Sequence, residues 1–495
     1  MRRIGWLLFL LVLSGCGPRT PSYSPPTPCC RPAPPPCCPP EDPCPLGTVT
    51  LEEAEAIALS HNPDLHRMRQ LLMRAQQGRL DALSKWLPEL NLVSLGYKAE
   101  EVVMFANARS AFLTQLNTTQ ALISTDKWFD AKIAGLIVQQ MRALLNAATI
   151  DILFQTRTLY YQLVYDRETV ETAKQKIELL TSLAVQEQAD YKIGTTILLN
   201  VNQSKVAVAN ASSVYYDAIK RYRVDLDAFV RVLGYDPGKV EVEIGSEGIP
   251  IGSIPELATK VDRMAALFEE GDPEGPIYKK GYPITQERLM ATLFSPSEVA
   301  SWEGLALTYR PELAEARTEV RIAQEEVGKQ RGEYWPQINL EFNYGGYPTK
   351  MLDTPTSNFF NQSFSWGLGY SVKWLLFDGF GRRYRISKAI HNRSAKQFEY
   401  QKSVQMAYED VRKQIFEIED GVASFVTAES NVRLAQQTLD LAKSQLEIGY
   451  ITVFDYQIVV DNLIDALNIR NRAEFDLMAG YYGLIHASGA DLRCR

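Results

Sequence analysis

The feature that most constrains this chain is an internal duplication. Asn62-Pro63-Asp64-Leu65 reappears as Arg310-Pro311-Glu312-Leu313, the prolines 248 residues apart. Trp86-Leu87-Pro88 reappears as Tyr334-Trp335-Pro336, and Phe129-Asp130 as Phe377-Asp378, both again at 248. Further along the spacing becomes 255, as Gly194 answers to Gly449, Asn200 to Asp455 and Gly234 to Gly489. One spacing held over many landmarks marks two copies of one supersecondary unit. The change of seven is one heptad, the insertion that keeps a coiled-coil seam in phase, so it is expected inside the long helices. The copies are expected at 48–234 and 301–491, with 235–300 as a linker.

Long helical patterns fill each copy. Residues 131–192 contain no proline and one glycine, Gly135. In 382–447, Val404, Val411, Ile418, Phe425, Val432, Leu439 and Leu446 recur every seven residues, with Ile415, Val422, Ala428, Ala435 and Ala442 at the second seam position. Roughly 60 residues at 1.5 Å per residue make a rod of about 90 Å, longer than an ordinary globular core requires. One glycine, Gly194 or Gly449, interrupts each pattern before helix resumes over 199–233 or 454–487. Glycine accepts the positive φ that turns a chain back. Each copy therefore reads as a long helical hairpin with its glycine at the tip. Thr50-Leu51-Glu52-Glu53 starts a shorter helix with a capping-box pattern, broken at Asn62-Pro63.

Between short and long helices lie strand patterns. Ile338, Leu340, Phe342 and Tyr344 alternate with Asn339, Glu341 and Asn343. Phe364, Trp366, Leu368, Tyr370, Val372 and Trp374 alternate with serine, glycine and lysine. An apolar face, a polar face and about ten residues per strand fit a membrane barrel strand. A half-buried strand of a soluble sheet has the same period. The density of tryptophan and tyrosine favours membrane, with Trp335, Trp366 and Trp374 as interface aromatics. In the first copy 90–97 alternates poorly, and 116–124 reads as strand only through its repeat partner. Past residue 13 no uninterrupted apolar run approaches the roughly 18 residues of a spanning helix, so strands are the expected way across. The fold class is mainly α, with long antiparallel hairpins and a small membrane β portion.

The N-terminus reads as an export signal over 1–15: Arg2-Arg3, an apolar core from Trp6 to Leu13, then Ser14-Gly15-Cys16. It resembles the bacterial lipoprotein signal, cut before a cysteine that then carries lipid of the palmitate kind. That makes Cys16 the expected attachment point, and Gly17 after it favours the outer membrane. An ordinary secretory signal is the alternative. Residues 18–45 hold 13 of the 26 prolines with Cys29, Cys30, Cys37, Cys38 and Cys44. Such a segment is extended, so 16–47 reads as a tether, with disulfides between chains as the other reading.

Nothing in the sequence suggests catalysis or a cofactor. Net charge is −7, with no basic patch for nucleic acid. His61, His66, His391 and His486 are scattered, and the first two are five apart rather than the four of a helical metal pair. Gly379-Phe380-Gly381 lacks the lysine-serine ending of a phosphate loop. The linker is expected to carry short helices near 255–269 and 285–293.

Over residues 48–490, the order of these motifs, met twice, resembles the TolC family of outer-membrane efflux and secretion channels. The resemblance implies a homotrimer in which each chain gives four strands to one twelve-stranded barrel, with helices continuing the tube across the periplasm. It implies a periplasmic adaptor and an inner-membrane pump as partners. It implies a periplasmic aperture at the tips, placing Gly194, Thr195 and Asn200 at one and Gly449, Thr452 and Asp455 at the other, with Asp461 either a second acidic layer or a residue facing solvent. The family's charged latch residues are replaced here by Asn200, Ile451 and Ile458. The expected function is a passive exit duct, not an enzyme. The competing reading is a lipid-anchored periplasmic coiled-coil scaffold with no pore. Four strands cannot stand alone in lipid, because each unpaired backbone group there costs several kcal/mol.

Overall fold

The structure, a computed structural model, describes residues 44–98, 110–245, 249, 251–269, 293–348 and 362–492. In chain order the elements are β1 (Cys44–Val49), α1 (Leu51–His61), α2 (Pro63–Ser84), β2 (Glu89–Lys98), β3 (Ser110–Ile123), α3 (Thr125–Ile193), α4 (Leu198–Leu233), β4 (Val240–Ile244), α5 (Pro255–Glu269), α6 (Pro296–Tyr309), α7 (Pro311–Gly332), β5 (Gln337–Pro348), β6 (Gln362–Lys373), α8 (Gly381–Glu447) and α9 (Val453–Ser488). Single 3-10 turns follow β4 and α9.

The duplication is exact in its helix lengths where the landmarks lie closest. Helices α2 and α7 both have 22 residues, and α4 and α9 both have 36. Asn62 breaks α1 from α2 by capping the second with its side-chain oxygen, which accepts from the amides of Asp64 and Leu65 at 2.8 and 3.3 Å. Proline then takes the first helical position, where its missing N–H is no loss. The same Pro-first start opens α7. The glycines that close α4 and α9, Gly234 and Gly489, have φ of 94° and 66°. Each fits into one of these breaks: a Cβ on Gly234 would lie 2.5 Å from the His61 carbonyl oxygen, and one on Gly489 2.9 Å from the Tyr309 carbonyl carbon. The repeat spacing thus records a backbone-on-backbone contact made once in each copy.

The coiled-coil periodicity maps onto burial as expected. Val411, Ile418, Phe425, Ile415, Val422, Ala428 and Ala442 are buried, and the remaining seam residues are half-buried. Midway along the long helices lies the main core, with Leu163, Phe229, Leu233, Ile418, Leu477 and Met478 almost fully enclosed. Each such side chain stabilises the fold by about 1.5–3 kcal/mol. A second cluster nearer the tips packs Leu180 and Leu183 against Val453, Tyr456 and Val460. Arg157 on α3 ties the ends of the chain together, donating to Glu55 of α1 at 2.6 Å and to Asp491 after α9 at 2.9 Å.

Three expectations are corrected. The seven-residue insertion is not in the coiled coil, since α3 has 69 residues and α8 has 67. It sits between strand and helix, where only Ser124 separates β3 from α3 but residues 374–380 separate β6 from α8. Of the segment expected as a tether to residue 47, the part from Cys44 is in β1 (Cys44–Val49), which pairs with β4 of the linker, and the rest lies outside the described residues. The second copy's helical part starts at Pro296 rather than 301, behind a Ser295–Glu298 capping box. The linker helix over 255–269 is present as α5, while the expected helix at 285–293 lies outside the described residues except for Leu293.

The four-stranded sheet is antiparallel throughout, in the order β2-β3-β5-β6. Helix α3 also carries one 18-residue window of mean hydropathy 1.2, of which 22% is buried in the single chain.

Candidate functional site

Two surfaces carry the expected function: one face of the sheet, and the hairpin tips at the far end of the long helices. The sheet's face follows from register. Ile338 lies opposite Val372, Leu340 opposite Tyr370, Phe342 opposite Leu368 and Tyr344 opposite Trp366, so these eight side chains share one face. Through β3 the register brings Leu116 opposite Tyr344 and Leu92 opposite Leu116, and carries Leu90 to the same face. Trp366 is 70% exposed, Tyr370 76% and Leu92 71%. The opposite face holds Asn91, Asn117, Glu341, Asn343 and Ser371, the last donating to Glu341 at 2.6 Å. The weak alternation of the first copy is therefore a sequence effect only, since β2 and β3 pair over ten residues. Within the described residues β2 and β6 each have one unpaired edge.

Trp335 is exposed at the start of β5. Trp374 follows β6 and donates its indole N–H to the Tyr334 carbonyl at 3.1 Å. The residues after it escaped the sequence reading. Leu375, Leu376, Phe377, Phe380 and Tyr384 are all exposed and continue the apolar surface past the last strand. The unbroken run Trp374-Leu375-Leu376-Phe377 was the available signal. A buried guanidinium shapes this elbow, as Arg382 donates to the carbonyls of Leu376 and Glu333 at 3.0 and 3.3 Å. Asp378 accepts from the Arg382 amide at 2.8 Å, and Phe380 takes a φ of 67° between two glycines.

At the tips Gly194 has φ 83° and Gly449 φ 75°, the left-handed turn expected of both. Thr195 donates its hydroxyl back to the Asp190 carbonyl at 2.9 Å, and Asn200 donates to Thr196 at 3.0 Å. Thr452 and Asp455 form a capping box that starts α9, the carboxylate accepting from the Thr452 hydroxyl at 2.6 Å and its amide at 3.0 Å. Those bonds, the hydroxyl's first, hold the Asp455 carboxyl below its ordinary range. Asp461 is paired with Lys176 of α3 at 2.8 Å, so it bridges the two hairpins. Ile451 packs against the lower core and Ile458 is exposed. Cys16 lies outside the described residues.

Two carboxyls with strongly raised pKa values sit mid-helix, away from both surfaces. Desolvation and then the facing Asp225 push Asp166 up to about 7, and desolvation pushes Glu474 to about 7 against the pull of Arg470. His61 stacks on Tyr235, and His486 bonds to Asp151 at 2.8 Å. Among the described residues no group of three or more His, Cys, Asp or Glu is arranged to hold a metal.

Residues 302–469 match the family model described as outer membrane efflux protein. The match covers about a third of the chain, all of it in the second copy. The matched span runs from α6 into the first half of α9 and includes β5, β6, the elbow and one tip. Solved structures share the fold over most of the chain. The outer membrane channel CmeC of Campylobacter jejuni is 15% identical, with a TM-score of 0.69 over 89% of this chain and 85% of that one. VceC of Vibrio cholerae is 17% identical at TM-score 0.67, over 89% and 96% of the two chains. The MtrE outer membrane channel of Neisseria gonorrhoeae is 13% identical at TM-score 0.67, over 89% and 88%. At these identities the likeness is one of fold. No curated protein matches the chain.

Proposed function

We propose that this protein is the outer-membrane exit duct of an efflux or secretion system. Three copies join their four-stranded sheets, edge β6 to edge β2, into one twelve-stranded barrel, because closure is what removes unpaired backbone from lipid. The aromatic face meets lipid and the Asn, Ser and Glu face lines the water-filled interior. The hairpins carry the tube across the periplasm, and their glycine tips, with Thr195, Asn200, Thr452 and Asp455, form its aperture. A periplasmic adaptor and an inner-membrane pump supply cargo and energy, and the lipid on Cys16 anchors each copy. Trp335, Trp366 and Trp374 seat the barrel at the membrane interfaces.

The observation that carries this reading is the union of two things in one chain. An open-edged sheet exposes Trp366 and Tyr370 on one face, and it continues directly into a helix of 69 residues, about 100 Å long. The test is single-channel recording of the detergent-purified protein in planar bilayers, beside gels run with and without heating. A duct gives discrete conductance steps and a heat-modifiable trimer. A pore-free scaffold gives neither.

A further inference from the structure

The tips expose large apolar side chains, and three of their carboxylates are engaged. Ile193 is 74% exposed, Ile448 78% and Tyr450 79%, with Ile197, Leu198 and Phe454 also more than half exposed. Of the acids there, Glu187 is buried and accepts from Thr196 at 2.9 Å, Asp455 closes its own capping box, and Asp461 is held by Lys176. Among the described residues at the tips, Asp190, Lys192, Lys443 and Glu447 have no side-chain ion pair. In a closed ring, side chains near the axis meet their own copies in the neighbouring subunits, where like charges repel and apolar side chains attract.

We propose, building on the duct reading, that the aperture is closed by an apolar gate: in the resting trimer Ile448, Tyr450 and Phe454 of each copy pack against the tips of the other two, backed by Ile193 and Ile197. The occupants of this surface are the other copies of this chain. Such a constriction excludes ions by dewetting and not by charge. It follows that closure withstands salt, which screens ion pairs and leaves apolar contact intact or stronger. Opening requires something that covers these side chains from outside or makes them polar.

The experiment is single-channel conductance of the whole purified protein, normalised to bath conductivity, in about 0.1 M and 1 M potassium chloride. Wild type, the triple variant Ile448→Ser, Tyr450→Ser, Phe454→Ser, the pair Ile193→Ser, Ile197→Ser, and the pair Lys192→Gln, Glu447→Gln are compared as heat-modifiable trimers. The gate predicts a low wild-type conductance unchanged by salt after normalisation, a several-fold rise in the serine triple, a smaller rise in the other serine pair, and no change in the charge pair. A rise on adding salt or in the charge pair, with the serine variants at wild-type level, overturns the gate in favour of an ionic latch. If every form conducts fully and alike, the duct stands and the gate falls. If no form conducts, the serine triple included, both fall.

Discussion

The two junctions where strand becomes long helix show how one sequence unit is used in two ways. In the first copy β3 gives way to α3 across Ser124 alone, whose hydroxyl caps the helix. Phe129 and Asp130 are then already helical, Phe129 packed where Gly328 and Gly332 of α7 leave room and Asp130 paired with Lys329 at 2.7 Å. In the second copy the same Phe-Asp pair lies in a seven-residue elbow, and Asp378 closes on Arg382 and Arg385. Lengthening the connection leaves α8 as long as α3 to within two residues. The helices must reach the same level, so the extra chain is taken up where it does not move the tips.

A second contrast lies halfway along. At the 255 spacing, Asp166 and Asp225, which face each other across the first hairpin, correspond to Gly421 and Gly480 in the second. A Cβ on Gly421 would lie 3.1 Å from the Leu477 backbone, so the second hairpin is closed by contact. The first is spaced by a pair of carboxyls that share burial.

The largest expected effect tests the elbow. Arg382→Ala removes a buried cation whose partners are two carbonyls and Asp378, a loss of about 3–5 kcal/mol. Asp126→Asn, at the same place relative to the start of α3, loses little because Gln337 still finds an acceptor. Equal falls in thermal midpoint would mean that the elbow is not specially braced. Next come the glycine sockets. Gly234→Ala forces a side chain into positive φ and into the His61 carbonyl, for about 2–4 kcal/mol. Gly489→Ala costs less, as its nearest contact is longer. The reverse order in denaturant midpoints would break that reading.

The carboxyl pair makes the first hairpin sensitive to pH. The Asp166 carboxyl is raised in the folded chain, so the folded state holds its proton longer than the unfolded state does. Its contribution is complete below the ordinary aspartate range and is lost as pH rises through about 7. Glu474 acts with the same sign. The thermal midpoint should therefore climb from pH 8 to pH 5.5, and Asp166→Asn should flatten part of that slope, leaving the part that Glu474 supplies. The smallest effect compares the caps. Thr452→Ala removes the box at the start of α9 for about 1 kcal/mol, while Ile197→Ser gives α4 the side-chain cap it lacks and gains somewhat less. Hydrogen exchange at the two helix starts reads both directly.

The chain's local signals predicted its turns better than its spacing. Glycines at 194, 234, 449 and 489 had one physical use, and all four adopt positive φ. The seam residues of α8 were legible because a heptad repeat has only one buried side. The site of the seven-residue insertion was not, since a heptad in a helix and a loop before it leave the same spacing. Strand β1 was hidden because its partner β4 lies roughly 200 residues away and pairing at that distance leaves no local trace. Asp455 was legible as a tip residue, whereas its engagement by Thr452 depends on the turn's geometry.

The central claim is that one chain supplies a third of a closed tube. The most direct measurement is the protein mass of the particle in detergent, by light scattering with the detergent contribution subtracted. Three chains, each at most 55.8 kDa, are predicted, stable until heated. A single chain, monodisperse in buffer without detergent, would contradict the account.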